Sequence, residues 1–251
     1  MREPLLAAQQ NIRPGIGNST PTAPAGVDPV TGGLSACAVQ RLRLSEFRNY
    51  PKLALDLSAQ IVVLTGANGA GKTNLMEAIS FLSPGRGLRR ARLRDVLRHD
   101  VTDGTAGWAV AATVLSPDGP VKLGSSLTRT ERGTDKRLAR LDGQAVSPSS
   151  LSQIIGVQWL TPQMDRLFLE GPSSRRRFLD RLVLGLDPDH GSRVGAYERS
   201  LRERAKLLRD GGGDPAWLSA LEARMAADGV AVAAARREAL ARLPRVLSAA
   251  V

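Results

Sequence analysis

One stretch constrains this chain more than any other. Gly66-Ala67-Asn68-Gly69-Ala70-Gly71-Lys72-Thr73 satisfies G-x-x-x-x-G-K-[ST] in full. On the order of 0.01 chance matches are expected in a chain of this length from average residue usage. The flanks suit it. Ile61-Val62-Val63-Leu64 is a short apolar run that predicts a strand buried on both faces. From Lys72 to about Ser83 a helix is predicted, with Leu75, Ile79 and Leu82 on one face. Between them the glycines let the backbone fold tightly enough for its N–H groups to point at phosphate oxygens. The helix N-terminus adds a favourable dipole. Lys72 is expected to reach the β and γ phosphates, and the Thr73 hydroxyl to hold Mg²⁺. Asn68 either hydrogen-bonds the γ-phosphate or only tolerates a tight bend. The expectation is a site for a nucleoside triphosphate with Mg²⁺.

Composition narrows the partners. Among 251 residues, 35 are Lys or Arg and 24 are Asp or Glu, a formal net charge of +11. Only five of the basic residues are lysines (52, 72, 122, 136 and 206), so arginine richness alone proves little. The positive sign favours a polyanion, nucleic acid first. No run of about 18 apolar residues occurs, so no membrane-spanning helix is expected. A single cysteine, Cys37, excludes an internal disulfide framework, and two histidines, His99 and His190, argue against a metal centre. A reduced, cytoplasmic setting is expected, and the start shows no secretory signal. Residues 1–36 carry Pro4, Pro14, Pro21, Pro24 and Pro29 without apolar periodicity, and are expected to be a disordered extension. Their charges cancel, so the whole excess sits on 37–251.

From residue 38 the pattern is strand-like. Leu42 and Leu44 alternate with Arg41 and Arg43, and Leu53, Leu55 and Leu57 with Ala54 and Asp56. The link Ser45–Pro51 holds turn formers, which predicts an antiparallel hairpin. Strands are predicted over Trp108–Val114, Val121–Thr128 and Arg137–Val146, punctuated at Ser116–Gly119 and Asp142-Gly143. A short strand is predicted at Gly156–Leu160. Helices are predicted over Ser173–Gly185, Asp189–Asp210 and Asp214–Leu243, broken at Gly211–Gly213 and ended near Pro244.

A hairpin ahead of the phosphate loop is the layout of ABC-type ATPase heads. No N-K-x-D motif of a guanine-nucleotide switch is present. At a finer level the chain resembles the RecF family of DNA-repair ATPases, related to SMC-type heads. Leu44-Ser45-Glu46-Phe47-Arg48-Asn49-Tyr50 is similar to that family's opening L-x-x-F-R-N-Y. The phosphate loop continues as Asn74-Leu75-Met76-Glu77-Ala78-Ile79. Gly85-Arg86-Gly87-Leu88-Arg89 resembles its G-R-x-F-R segment, with Leu88 where an aromatic usually stands. Leu160-Thr161-Pro162 and Gly171–Asp180 resemble its T-P-E stretch and G-x-P-x-x-R-R-x-F-L-D block, with Gln163 in place of Glu. The resemblance runs from about residue 38 to 251.

The resemblance implies an α/β fold: a P-loop ABC/SMC-type ATPase head with an N-terminal β-hairpin and strands, plus a helical arm. The expected division is 1–36 extension, 37–172 N-terminal lobe, and 173–251 arm. It also implies ATP with Mg²⁺, DNA at single-strand gaps and junctions, RecO and RecR as partners, an ATP-dependent homodimer, recombinase loading and support of the SOS response. By resemblance Arg48 is assigned to nucleotide contact, and Gln158 and Gln163 are both candidates for the glutamine loop. Arg86, Arg89, Arg90 and Arg92 are candidates for phosphate-backbone contact. Arg175, Arg176, Arg177 and Arg181 form a second basic cluster. A third, Arg193 to Arg209, contains Glu198 and Glu203 and is expected to be a salt-bridged helix face.

Two expected motifs are missing. No apolar run ending in Asp-Glu (the Walker B strand) and no Ser-Gly signature is found. In RecF-like chains both follow the arm, so the expectation is a C-terminally shortened chain that does not hydrolyse ATP by itself and whose strand Ile61–Leu64 lacks neighbours. The competing readings are a non-hydrolysing ATP-binding fragment and a transporter-type ABC ATPase. The positive charge and Phe47-Arg48-Asn49 argue against the latter.

Overall fold

Period-two alternation between apolar and polar residues dominates the first part of the fold. The computed structural model describes residues 37–58, 61–102, 106–130, 133–211 and 214–249. The expected extension over 1–36 lies outside them. The described residues form two units, one up to Leu82 together with Arg86–Pro148, the other Ser83–Gly85 together with the chain from Ser149.

The first unit is built on a six-stranded antiparallel sheet in the order β2-β1-β3-β4-β5-β6. Its strands are β1 (Ala38–Phe47), β2 (Tyr50–Asp56), β3 (Ala109–Ser116), β4 (Gly119–Arg129), β5 (Asp135–Leu141) and β6 (Gln144–Val146). The β1–β2 hairpin is tighter than the sequence suggests. Phe47 pairs with Tyr50, so only Arg48 and Asn49 lie in the turn, and Arg48 takes a left-handed φ of 56°. Asp142 (φ 48°) and Gly143 (φ 86°) turn β5 into β6 as expected.

Alternation sends Leu42, Leu44, Val110, Ala112, Val114, Leu123, Leu127 and Ala139 to one face, where they are buried. Helix α1 (Lys72–Ser80) contributes Leu75 and Ala78 to the core, followed by Phe81 and Leu82. Phe47, Phe81 and Trp108 meet edge-on or tilted, with centroids 4.8 to 6.0 Å apart, a favoured aromatic geometry. Arg137 is buried in this layer. It donates to Ser125 Oγ at 2.7 Å and to the Phe81 carbonyl, and its guanidinium lies over the Phe81 ring at 5.4 Å. Burial pushes its pKa down to about 10.

The second unit is helical: α2 (Pro172–Leu184), α3 (His190–Arg209) and α4 (Pro215–Ala249). These fall where periodicity predicts them, with one correction. Helix α4 runs through Pro244 instead of ending near it. Proline removes one amide donor from a helix, and here the remaining ladder tolerates that loss.

Two further expectations fail. Ile61–Leu64 is not a strand, and Ile61 and Val63 are 84% and 77% exposed. Gly156–Leu160 is not a strand either. A strand buried on both faces requires a neighbour on each side, and no described strand runs beside either segment. Their apolar character is real, but the pairing is absent.

Candidate functional site

The phosphate loop sits exposed at the start of α1. Its curl comes from three positive-φ glycines, Gly66 (143°), Gly69 (84°) and Gly71 (100°). Ala70 N–H donates to the Ala67 carbonyl at 3.2 Å, closing a turn inside the loop. Lys72 Nζ donates to the carbonyls of Gly66 (2.7 Å) and Ala67 (2.8 Å), folding its ammonium back into the curl. Asn74 and Leu75 send their N–H groups to the Gly71 carbonyl. The N–H groups of Lys72 and Thr73, at the first helical positions, have no acceptor inside the helix.

The hairpin tip braces this loop. A Cβ at Gly71 would overlap the Tyr50 hydroxyl and come within 2.7 Å of Asn49 Nδ2. Only glycine fits there, for space as well as for φ. Asn74 Nδ2 donates to Asn49 Oδ1 at 2.7 Å, tying the tip to the first turn of α1. The Tyr50 hydroxyl is buried without a partner among the described residues, and burial raises its pKa. The positive-φ curl, the unpaired N–H groups at the start of α1 and the lysine folded into the loop are the donor set a triphosphate requires. Thr73, in the first turn, is exposed beside them.

Arg48 stands under this brace. It donates to both oxygens of Glu77, Nε to Oε2 at 2.9 Å and Nη2 to Oε1 at 2.8 Å, and Nη1 to the Asp95 carbonyl at 2.6 Å. Glu77 is fully buried, and Arg89 also donates to it at 2.5 Å. Arg89 further donates to Asn74 Oδ1 at 2.7 Å. One carboxylate of α1 thereby joins the hairpin tip and the segment after the helix. Sequence reasoning missed Glu77, Asn74 and Asn49 as parts of this assembly. The only available signal for Glu77 is a charge next to the apolar stripe of α1.

The arginine run after α1 divides in two. Arg89, Arg94 and Arg98 are engaged, with Glu77, with Asp135 at 3.3 Å, and with Glu46 and Asp100. Arg86, Arg90 and Arg92 are exposed and have no carboxylate partner among the described residues. In the second unit, Arg181 is partly buried and stacks on Trp159 at 4.2 Å and Phe178 at 5.5 Å. Arg175 caps the carbonyls of Phe168 and Glu170. The third cluster is salt-bridged, through Arg193 to Asp187 and Asp189, Arg202 to Glu198 and Arg204 to Glu222. Gln158 donates to the Arg181 carbonyl at 2.5 Å, while Gln163 lies in the short helical turn Pro162–Arg166. Among the described residues no group of three or more His, Cys, Asp or Glu could hold a metal ion, and no helix is long and apolar enough to cross a membrane.

A second, partly buried carboxylate organises the helical unit. Asp180 on α2 accepts from Arg236 on α4 at 2.7 and 2.9 Å. His190, at the start of α3 and fully buried, places Nε2 2.8 Å from the same carboxylate. Burial pushes the Asp180 carboxyl up. The hydrogen bonds from His190 and Arg236 outweigh it and hold the pKa below the usual carboxylate range.

The fold is that of an ABC/SMC-type ATPase head with an antiparallel lobe and a helical arm. It matches solved structures of the recombination mediator protein RecF-ATPrS and RecF-ATP in the RecFOR pathway, with TM-scores of 0.71 and 0.69 at 23% identity, over 84% and 85% of this chain and 56% of each of theirs. Residues 38–237 match the RecF/RecN/SMC N terminal domain, and the chain belongs to that family. Among its relatives, the DNA replication and repair protein RecF of Rhizobium meliloti (strain 1021) is 52% identical over 204 residues, covering 81% of this chain and 54% of the relative. RecF of Mesorhizobium japonicum (strain LMG 29417 / CECT 9101 / MAFF 303099) is 48% identical over 214 residues, covering 85% and 54%. The chain thus spans about half the length of the curated relatives it matches.

Proposed function

We propose that the chain is the nucleotide-binding half of a RecF-type DNA replication and repair protein. The observation that carries this is the braced phosphate loop, a curl held by Lys72 and wedged against Asn49 and Tyr50 at the hairpin tip. ATP binds there. The loop residues Gly66 to Thr73 cradle its phosphates, Lys72 leaves the Gly66 and Ala67 carbonyls to meet the β and γ oxygens, and Thr73 holds Mg²⁺. Arg48, the candidate for nucleotide contact, has its donors on Glu77 and the Asp95 carbonyl, and it serves the nucleotide by holding the hairpin tip whose Asn49 and Tyr50 wedge the loop. That the relatives include a RecF-ATP structure supports the choice of nucleotide.

The rest of the proposal concerns the whole protein. Two heads dimerise on ATP and grip DNA at gaps and junctions, in the cytoplasm. With RecO and RecR they load recombinase, and this feeds the SOS response. The net charge of +11 supports a DNA partner. Exposed Arg86, Arg90 and Arg92 remain candidate backbone contacts. Arg89 is a weaker one, because Glu77 and Asn74 already take its donors. The exposed run at Ile61–Val63 supports a further point: a head of this class pairs that segment with strands from the half not matched here.

Titration of the chain with a fluorescent ATP analogue and Mg²⁺ tests the site. Saturable binding is expected, and Lys72→Ala weakens it at least tenfold while leaving the circular-dichroism spectrum unchanged. Equal affinity in the parent chain and in Lys72→Ala would overturn the assignment.

A further inference from the structure

The six-stranded sheet buries one face and leaves the other open. The register shows what the open face carries. Arg43 on β1 pairs with Ala54 and Ala111, Ala111 with Gly124, and Gly124 with Arg140. The next row runs Lys52, Ser45, Ala109, Ser126 and Leu138. On the other side lie Asp56, Arg41, Thr113 and Lys122, and beyond Ser126 the pair Thr128 and Lys136. Three of the five lysines in the chain therefore stand on this one face.

The floor is low and the rim is basic. Ala109, Ala111, Gly124 and Ser126 form the middle, where no side chain is longer than serine. A Cβ on Gly124 would lie 3.4 Å from the Cβ of Arg140, which places both on the same side. Arg43 and Arg140 stand three strand spacings apart, roughly 14 Å. Arg41 is neutralised by Asp56 at 2.5 Å. Arg140 donates to the Gly143 carbonyl and keeps its charge. The side chains of Arg43, Lys52, Lys122 and Lys136 have no carboxylate partner among the described residues, although the Lys122 backbone N–H donates to Asp142 Oδ1 at 2.9 Å. Ser45, Thr113, Ser126 and Thr128 add hydroxyl donors between the cations. Among the described residues no aromatic ring stands on the face, since Phe47, Tyr50 and Trp108 are all buried.

We infer that this open face is a docking surface for the sugar-phosphate backbone of duplex DNA. The inference rests on the DNA-binding reading above and adds the surface that does it. Cations around a shallow, small-residue floor let phosphates approach closely and be met from both sides, with hydroxyls as secondary donors. A face without aromatic side chains offers no platform on which unpaired bases could stack. It holds duplex through its phosphates and reads no sequence. The three exposed arginines after α1 are the competing surface.

Two measurements on the 251-residue chain decide it. The first is binding of a fluorescein-labelled duplex across a range of NaCl concentrations. Arg43→Ala/Lys122→Ala/Arg140→Ala is expected to reduce the slope of log affinity against log salt by about 2 to 3, since each phosphate contact on B-DNA contributes about 0.9. Arg86→Ala/Arg90→Ala/Arg92→Ala reduces it by less. The second needs no variant. Acetylation of lysines, read by mass spectrometry, is expected to slow severalfold at Lys52, Lys122 and Lys136 when duplex is added, and to stay unchanged at exposed Lys206. Unprotected sheet lysines and an unaltered slope, with the parent chain still binding duplex, would overturn the sheet assignment and leave the DNA reading standing. Lysines already protected before duplex is added would mean that protein covers the face, and that too defeats the inference. A parent chain without any salt-dependent binding would overturn the sheet assignment, because every strand of the face is present in this chain, and would leave the whole-protein DNA reading untouched.

Discussion

Glu77 and Asp180 solve the same problem in the two units with different partners. Each is a carboxylate drawn out of water, Glu77 wholly and Asp180 in part, and held by two basic side chains from outside its own helix. Glu77 is fully buried and takes two guanidiniums, Arg48 and Arg89. Asp180 retains some exposure and takes one guanidinium, Arg236, and one imidazole, His190, a group that carries charge only when protonated. The His190 Nδ1 is buried without a partner among the described residues. The first clasp fixes the hairpin tip that wedges the phosphate loop. The second ties α2, α3 and α4 together in the arm. The nucleotide site thus rests on a carboxylate held by two guanidiniums, and the arm on one held by a guanidinium and an imidazole.

The largest expected effect comes from breaking the first clasp. Glu77→Ala leaves Arg48 with only the Asp95 carbonyl and Arg89 with only Asn74. Removing one partner of a buried ion pair typically costs about 3 to 5 kcal/mol. The lower end is expected, because both arginines keep some access to water. Hydrogen exchange followed peptide by peptide is the right probe, since it reads the two units separately. Faster exchange should appear in α1 and the β1–β2 hairpin while α2 to α4 stay protected. Nucleotide affinity should fall in parallel, because the tip that holds Gly71 loosens. If affinity survives while the hairpin opens, Arg48 and Glu77 do not brace the loop.

Asp180→Asn is the matching change in the arm, with a smaller expected loss of about 2 to 3 kcal/mol, since the amide keeps one acceptor for Arg236. Exchange should rise in α2, at the start of α3 and around Arg236, with the hairpin and phosphate loop unaffected. Equal loosening of both units would show that the clasps are not independent.

Much of this was legible in advance, and the reasons differ by element. The strands announce themselves through alternation, and Asp142-Gly143 through its turn chemistry. The phosphate loop is a local motif, so its curl follows from its own glycines. The clasps are not local. Glu77 meets Arg48 from 29 positions earlier and Arg89 from 12 later, and no periodicity marks a charge that tertiary packing will bury. Ile61–Leu64 fails for the opposite reason. Its composition states a strand, but a strand is a property of a pair. Alternation also places Arg43 and Arg140 outward without revealing that the register sets them in one row across the sheet.

The smallest expected effect is the acid response of the arm. The folded pKa of Asp180 lies below its ordinary value, so the unfolded chain takes up a proton there first as pH falls. Its contribution to stability is complete above the unfolded value, about 3.9. It declines as pH drops below that and is gone once pH has passed through the lower folded value. Parent chain and Asp180→Asn should therefore differ in arm stability at neutral pH and converge as pH falls below about 4. Hydrogen exchange of α2 and α4, corrected for the intrinsic pH dependence of exchange, measures that difference. A gap that stays constant down to strongly acidic pH would mean that the carboxylate is not held ionised by His190 and Arg236, and that the arm's clasp is built on shape instead of charge.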